Sequence, residues 1–452
     1  MDLALYSREF KRNLNLAYPV MIGQLGNVIV NLADNIMVGE LGAAPLAAVS
    51  LANSVVFVAM SLGIGFSLGI TPLVAESDGA GDVAQGKSYL QNGIYMCLII
   101  GVMLFLTLFF LEPILYKLDQ PEEVIVLAIP YYRIICFSMF PLMLFQAYKQ
   151  FADGLSLTRY GMRATLWSNV VNIGFNYLLI YGIWVFPELG IVGAGYGTLI
   201  ARFFMLFMLL YLYTYRESFG AYRGGFGFKA LDKIVLKKIA SIGLPTSLQM
   251  LFEVGLFASA VLLSGVLGTI PQAANQIALN LSSMTYMIAV GLGVTATIRV
   301  GNQKGLLDFE NLRRIAFSIF ILMVIIDIGF ALFFILFNKY LPLLYIDDIS
   351  VTALASQLLV VAALFQISDG LQSVVLGALR GLQDVTKPMY ITFIAYWVIG
   401  FPCCYYLGLY TEMKSAGIWL GLFIGLTASA IMLIYRFNKL SKSLIQENHG
   451  LT

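Results

Sequence analysis

The chain has 452 residues, of which 60% are hydrophobic and 12% charged, with a formal net charge of +2. A soluble domain carries about 25% charged residues, so this charge cannot cover a water-soluble protein of such size, and the near-zero balance gives no case for nucleic acid. The single histidine, His449, lies in the tail, and Cys97, Cys136, Cys403 and Cys404 lie in apolar runs without zinc or CxxC spacing, which argues against His-based metal sites and Ser-His catalysis.

A bilayer-crossing helix needs about 20 mostly apolar residues. The sequence predicts twelve such spans, at 14–38, 46–74, 89–111, 124–148, 162–184, 191–215, 237–263, 272–298, 313–337, 350–378, 388–409 and 416–437. The first follows a charged arm (Arg8, Lys11, Arg12) and is too long for a cleaved signal segment. It carries Gln24, Asn27, Asn31 and Asp34 at helical spacing, so all four line one face. A polar stripe points at protein or water rather than lipid, and its plain alternative is a hydrogen-bonded helix contact. The fifth span carries Asn169, Asn172 and Asn176 on one face, and the sixth carries Thr198.

A basic, glycine-rich stretch, 216–236, then separates the halves and includes Arg223–Phe228. The seventh span has Gln249 and Glu253 one turn apart. The eighth has Gln272, Gln276, Asn280 and Ser283 on one face, and the tenth has Gln366, Asp369, Gln372 and Ser373. Asp327 stands in the ninth span without a polar stripe, so packing beside a hydroxyl is as good an explanation as transport.

The loop charges agree with the count. Of the 27 lysines and arginines, the predicted outer loops hold only Lys117, Lys339 and Lys414, and Arg133 and Arg202 lie within spans. The rest fall on the side that holds both termini, which is the positive-inside pattern with cytoplasmic ends.

The chain also repeats itself. A shift of half the 452-residue length brings Pro19 onto Pro245, Gly39 onto Gly265, Gly42 onto Gly268, Pro45 onto Pro271 and Val74 onto Val300. One further residue of shift brings Gly154 onto Gly381 and Gly190 onto Gly417. The expected fold is therefore an all-α polytopic membrane protein of two six-helix lobes, related by a pseudo-two-fold axis along the membrane normal. The expected division is 1–215, a cytoplasmic linker 216–236, and 237–452.

Acids within the membrane are costly, and are functional candidates by default. Glu253 and Asp369, with amide oxygens such as those of Gln276 and Asn280, offer sodium hard ligands and can equally carry protons. The sequence leaves both open. No soluble segment is large enough for an ATP-binding domain, so transport would draw on an ion gradient.

Several stretches together resemble the multidrug and toxic compound extrusion (MATE) transporters, in the NorM-type branch. They are Leu32–Gly42, Glu76–Asp82 and the Asn172/Asn176 pair, then Gly243–Glu253, Ala273–Leu281, Phe365–Asp384 and Lys387–Pro402. The resemblance runs over essentially the whole chain. It implies cation-coupled (Na+ or H+) export of amphipathic, often cationic organic compounds by alternating access. It also implies a monomer surrounded by lipid in the plasma membrane, with no cofactor. Glu253 and Asp369 match the second-lobe coupling carboxylates, and Asp34, Asn172, Asn176 and Thr198 match the first-lobe cation or substrate site. Some members have a tyrosine four residues before the equivalent of Asp369; here it is Phe365.

Two rival transporters fit less well. A lipid-linked-precursor flippase would want a cationic cavity, and the embedded polar residues here are acids and amides. A major-facilitator transporter usually has a basic second loop, whereas this one reads ESDGAGDVAQGKS. An enzyme would need a nucleophile, a base and an orienting group, and no such set is visible.

Overall fold

A computed structural model describes residues 3–117, 120–224 and 231–450. Among these, the regular structure is helical throughout. We number the spans α1 (Leu3–Gly39), α2 (Ala43–Gly79), α3 (Val83–Lys117), α4 (Glu122–Gly154), α5 (Thr158–Tyr181) and α6 (Ile191–Tyr215). They continue as α7 (Lys233–Val266), α8 (Thr269–Gly305), α9 (Phe309–Phe337), α10 (Ile349–Gly381), α11 (Thr386–Leu409) and α12 (Lys414–Gly450). All twelve expected spans are present as helices. Among the described residues, 11 are both long and apolar enough to cross a membrane by composition alone. The other is α5, at 24 residues long enough, but made more polar by its asparagines and by Arg159 and Arg163.

Several spans are interrupted. Leu68 and Gly69 break α2, Ser138 breaks α4, and Ile394–Gly400 forms a π-helical turn inside α11. Of the basic linker, 225–230 lies outside the described residues.

The chain packs as two compact units. One comprises Ile22–Ser247; the other comprises Leu248–Thr452 together with the N-terminal part of α1 as far as Met21. Packing therefore does not follow the sequence halves strictly, because α1 and α7 each change unit two residues beyond a proline, Pro19 and Pro245. The reason for the first crossing is local. Ala17 is buried in the core of Leu292, Phe320 and Phe437, and Glu9 is paired with Arg299 at 2.6 Å. The core of the Ile22–Ser247 unit gathers Tyr132, Met139 and Phe145, and the other unit has a further core around Phe365, Tyr396 and Trp419. Large apolar side chains such as Phe110, Phe207, Leu262 and Leu336 remain exposed. That is costly in water and natural in lipid.

The repeat is visible in local geometry. Asp82 caps α3 by accepting from Gln85 N, and Asp308 caps α9 by accepting from Asn311 N. Gly42 and Gly268, which open α2 and α8, have φ of 121° and 122°, a region that favours glycine. Gly154 packs against Val74 Cβ and Thr71 O, and Gly381 packs against Val300 Cβ and Thr297 O. These contacts match pairwise under the shift read from the sequence.

The capped turn before α3 also disposes of a nucleotide motif. Gly81–Ser88 reads GDVAQGKS and fits the spacing of a phosphate-binding loop. Such a loop follows a strand and presents free backbone amides to phosphate. Here a helix precedes it, Gly86 N already donates to Asp82 O at 3.0 Å, and Lys87 Nζ donates to Arg223 O at 2.9 Å. The residues are a helix start.

Candidate functional site

Within the Ile22–Ser247 unit, the first polar group centres on Asp34. Asn176 Nδ2 donates to Asp34 Oδ1 at 2.7 Å and to Asn172 Oδ1 at 3.2 Å, and Asn172 Nδ2 donates to Thr198 Oγ1 at 3.3 Å. The four residues thus form one chain of hydrogen bonds from α1 through α5 to α6. The one-turn spacing of Asn172 and Asn176 makes the inner link possible. Gly197 makes room for it, since a Cβ there would collide with Asn176 Oδ1. Beside this chain, Ser168 Oγ donates to Ala201 O at 2.8 Å and holds α5 against α6.

The rest of the α1 stripe does not join. Asn27 Nδ2 donates to Gln24 Oε1 at 3.4 Å, and Asn27 and Asn31 are exposed. The two arginines within spans are also placed. Arg133 makes a two-pronged pair with Glu112, both contacts at 2.7 Å, and Arg202 donates to Ser138 Oγ at 2.6 Å.

In the other unit, Tyr286 of α8 donates its hydroxyl to Glu253 Oε1 at 2.8 Å. Glu253 and Asp369 lie within electrostatic reach of each other, and Tyr286 and Tyr396 lie within reach of both. Tyr396 in turn donates to Gln372 Oε1 at 2.6 Å. Thr285 Oγ1 donates to Gln366 Oε1 at 3.0 Å. Helices α7, α8, α10 and α11 therefore converge on the buried Asp369 and the half-buried Glu253 through two tyrosines. Arg380, near the end of α10, lies within electrostatic reach of Glu253.

Other expected residues stand apart from this network. Gln276 Nε2 donates to Asn280 Oδ1 at 3.1 Å, so these two satisfy each other rather than either acid, and Gln276 is exposed. Gln249 Nε2 donates to Val385 O at 3.1 Å and ties α7 to the start of α11. Asp327, on α9, is 2% exposed and lies within electrostatic reach of Asp369. Phe365 is buried against Trp419 and Phe257, with ring centroids 5.3 and 6.0 Å away. The hydroxyls beside the acids come from Tyr286 and Tyr396, which the sequence reading did not select. Tyr286 had a signal, since it extends the Gln276–Asn280–Ser283 stripe by three residues. Tyr396 and Arg380 had none beyond lying in the stretches that carry the resemblance.

The MatE family profile matches residues 19–178 and 245–406, two copies that begin at Pro19 and Pro245. The chain is 35% identical over 442 residues to multidrug resistance protein MdtK of Yersinia pseudotuberculosis, covering 97% of each chain. It is 35% identical over 436 residues to multidrug resistance protein NorM of Photobacterium profundum, covering 95% of each. Among solved structures, a MATE transporter in the bent conformation superposes with a TM-score of 0.89 at 21% identity, covering 97% of each chain. An outward-facing multidrug resistance MATE family transporter of the MOP superfamily gives 0.87 at 22% identity, again covering 97% of each.

Proposed function

We propose, from the premise that the chain belongs to the MatE family, that it exports amphipathic, often cationic organic compounds by alternating access, driven by a cation gradient. It is a transporter and not an enzyme. It sits in the cell membrane with both termini cytoplasmic, as the loop charges argue. The halves 1–215 and 237–452 act as its two lobes, except that α1 to Met21 packs with the second half and α7 to Ser247 with the first.

The observation that carries this reading is the acid pair Glu253 and Asp369, set among tyrosines inside membrane helices. Charged or protonatable acids at that depth are retained where something must bind or cross. Cation entry would change their charge, and Tyr286 would pass that change between α7, α8 and α10. In the other unit, the Asp34–Asn176–Asn172–Thr198 chain offers carboxylate and amide oxygens, which suit a cationic cargo or a coupling ion. The names of MdtK and NorM, both multidrug resistance proteins, support the cargo class.

The test is dye efflux from cells that produce the chain, with the sodium and proton gradients collapsed separately. Efflux should stop with one of them. Efflux that continues with both collapsed would sink the cation-coupled reading.

A further inference from the structure

Arg202 stands near the middle of α6 (Ile191–Tyr215), which at 1.5 Å per residue places it about 16–20 Å along the helix from either end. Its partners are neutral. Nη1 donates to Ser138 Oγ at 2.6 Å, and Nη2 reaches Met60 Sδ at 3.6 Å. A thioether is a weak acceptor. Arg133, Arg299 and Arg436 have carboxylate partners in Glu112, Glu9 and Asp384, whereas among the described residues Arg202 pairs with none. A guanidinium stays charged in a protein and carries five N–H donors. Among the described residues Nε of Arg202 makes no hydrogen bond, yet it is not sealed inside protein, so donors remain for a further acceptor. An uncompensated charge at this depth is costly, and is kept where it binds something.

The same unit holds the opposite charge nearby. Tyr131 of α4 lies within electrostatic reach of both Asp34 and Arg202, and its hydroxyl donates to Asn53 Oδ1 at 3.1 Å. Arg202 also lies one turn beyond Thr198, the α6 end of the Asp34 hydrogen-bond chain. We propose that Arg202 is an anion handle of this site, taking the carboxylate of a zwitterionic cargo while Asp34 faces the cargo's positive group. The inference rests on the export reading and adds to it a specificity-determining residue and a substrate class. A guanidinium and a carboxylate match as a planar two-pronged pair, stronger than the neutral contacts to Ser138 and Met60 that it replaces. A lipid phosphate carries the same sign of charge, but headgroups border a hydrocarbon core about 30 Å thick, and Arg202 lies near the middle of its span.

Binding of two rhodamine dyes to the purified full-length protein tests this, alongside efflux of both from cells. The dyes share one xanthene cation and differ only in a free carboxylate against its methyl ester. Arg202→Gln should weaken binding of the free acid by about ten-fold or more, the equivalent of about 1.4 kcal/mol, and leave the ester within about two-fold. Arg202→Lys keeps the charge but loses the fork, and should weaken the free acid by about three-fold while sparing the ester. That variant keeps the test decisive if Arg202→Gln fails to fold. Equal losses for both dyes would make Arg202 a fastening between α6 and the break in α4 at Ser138, and would overturn the inference. Unchanged affinity for the free acid in both variants would overturn it too, while efflux of the ester by the wild type would leave the export reading standing. A wild type that exports neither dye removes the export reading, and the inference with it.

Discussion

Asn176 Nδ2 lies 2.7 Å from Asp34 Oδ1, joining two residues that are 142 apart in sequence. A charged Asp34 can only accept, whereas a protonated one also donates. The Asn176–Asn172–Thr198 chain would then have to rearrange. Substrate affinity in the wild type should therefore vary between about pH 5 and 8, a range within which a membrane-embedded carboxyl can titrate. Asp34→Asn should give a flat curve, measured by binding of a fluorescent substrate to purified protein. Curves of the same shape would make Asp34 a simple fastening between α1 and α5.

The Tyr286–Glu253 bond yields a second expectation. Asp369→Asn and Glu253→Gln should each abolish cation-driven efflux in well-folded protein. Tyr286→Phe removes one hydrogen bond to a charged or polar acid and should cost about 1–3 kcal/mol of coupling, read as a reduced efflux rate. Combined with Glu253→Ala, it should lower the thermal midpoint in detergent hardly further than Glu253→Ala alone, because both changes remove the same contact. Full additivity in thermal midpoints would show that the hydroxyl acts elsewhere.

How far the sequence carried this picture differs between fold and site. The twelve spans and the repeat were legible, because helical spacing and insertion cost leave marks in the order of residues itself; spacing put Asn172 and Asn176 on one face, but only the resemblance joined them with Asp34 and Thr198. The crossing of α1 and α7 between units was not. It depends on which partners Glu9 and Ala17 find, and these lie far away in sequence. Gln276 and Asn280 were selected for facing the right way, yet they satisfy each other one turn apart. The GDVAQGKS string is the opposite case, a phosphate-loop spacing that the sequence reading did not pick out and whose amides are already used by the helix it begins.

The buried pair at the start of α1 gives a stability prediction. Arg299 bonds Glu9 at 2.6 Å and also reaches Asn13, whose amide donates to Ser318 Oγ at 2.9 Å. Glu9 is 4% exposed, so Glu9→Ala leaves a largely buried guanidinium without its countercharge. Breaking one partner of such a pair costs about 3–5 kcal/mol. The thermal midpoint in detergent should drop markedly for Glu9→Ala. The double change Glu9→Gln with Arg299→Met should recover much of it, because no unpaired charge remains. A double variant as unstable as the single would show that packing, and not charge, holds α1 there.

The repeat makes a paired prediction. A Cβ added at Gly154 would come 2.6 Å from Val74 Cβ and 3.0 Å from Thr71 O; one added at Gly381 would come 2.9 Å from Val300 Cβ and 2.8 Å from Thr297 O. Val74 and Val300 are both 0% exposed, so neither can swing away. Gly154→Ala and Gly381→Ala should therefore each destabilise by about 1–3 kcal/mol, the usual cost of overpacking a filled core. Gly174 and Gly329 are the controls. Both lie inside helices, and a Cβ at either meets nothing within 4 Å. There alanine should be neutral or stabilising by up to about 1 kcal/mol, through the helix preference alone. The four variants differ only by one methyl group each, so thermal unfolding in one detergent compares them directly. If Gly174→Ala and Gly329→Ala fall as far as the repeat pair, the loss comes from helix flexibility and the close contacts at Val74 and Val300 are not what those glycines serve.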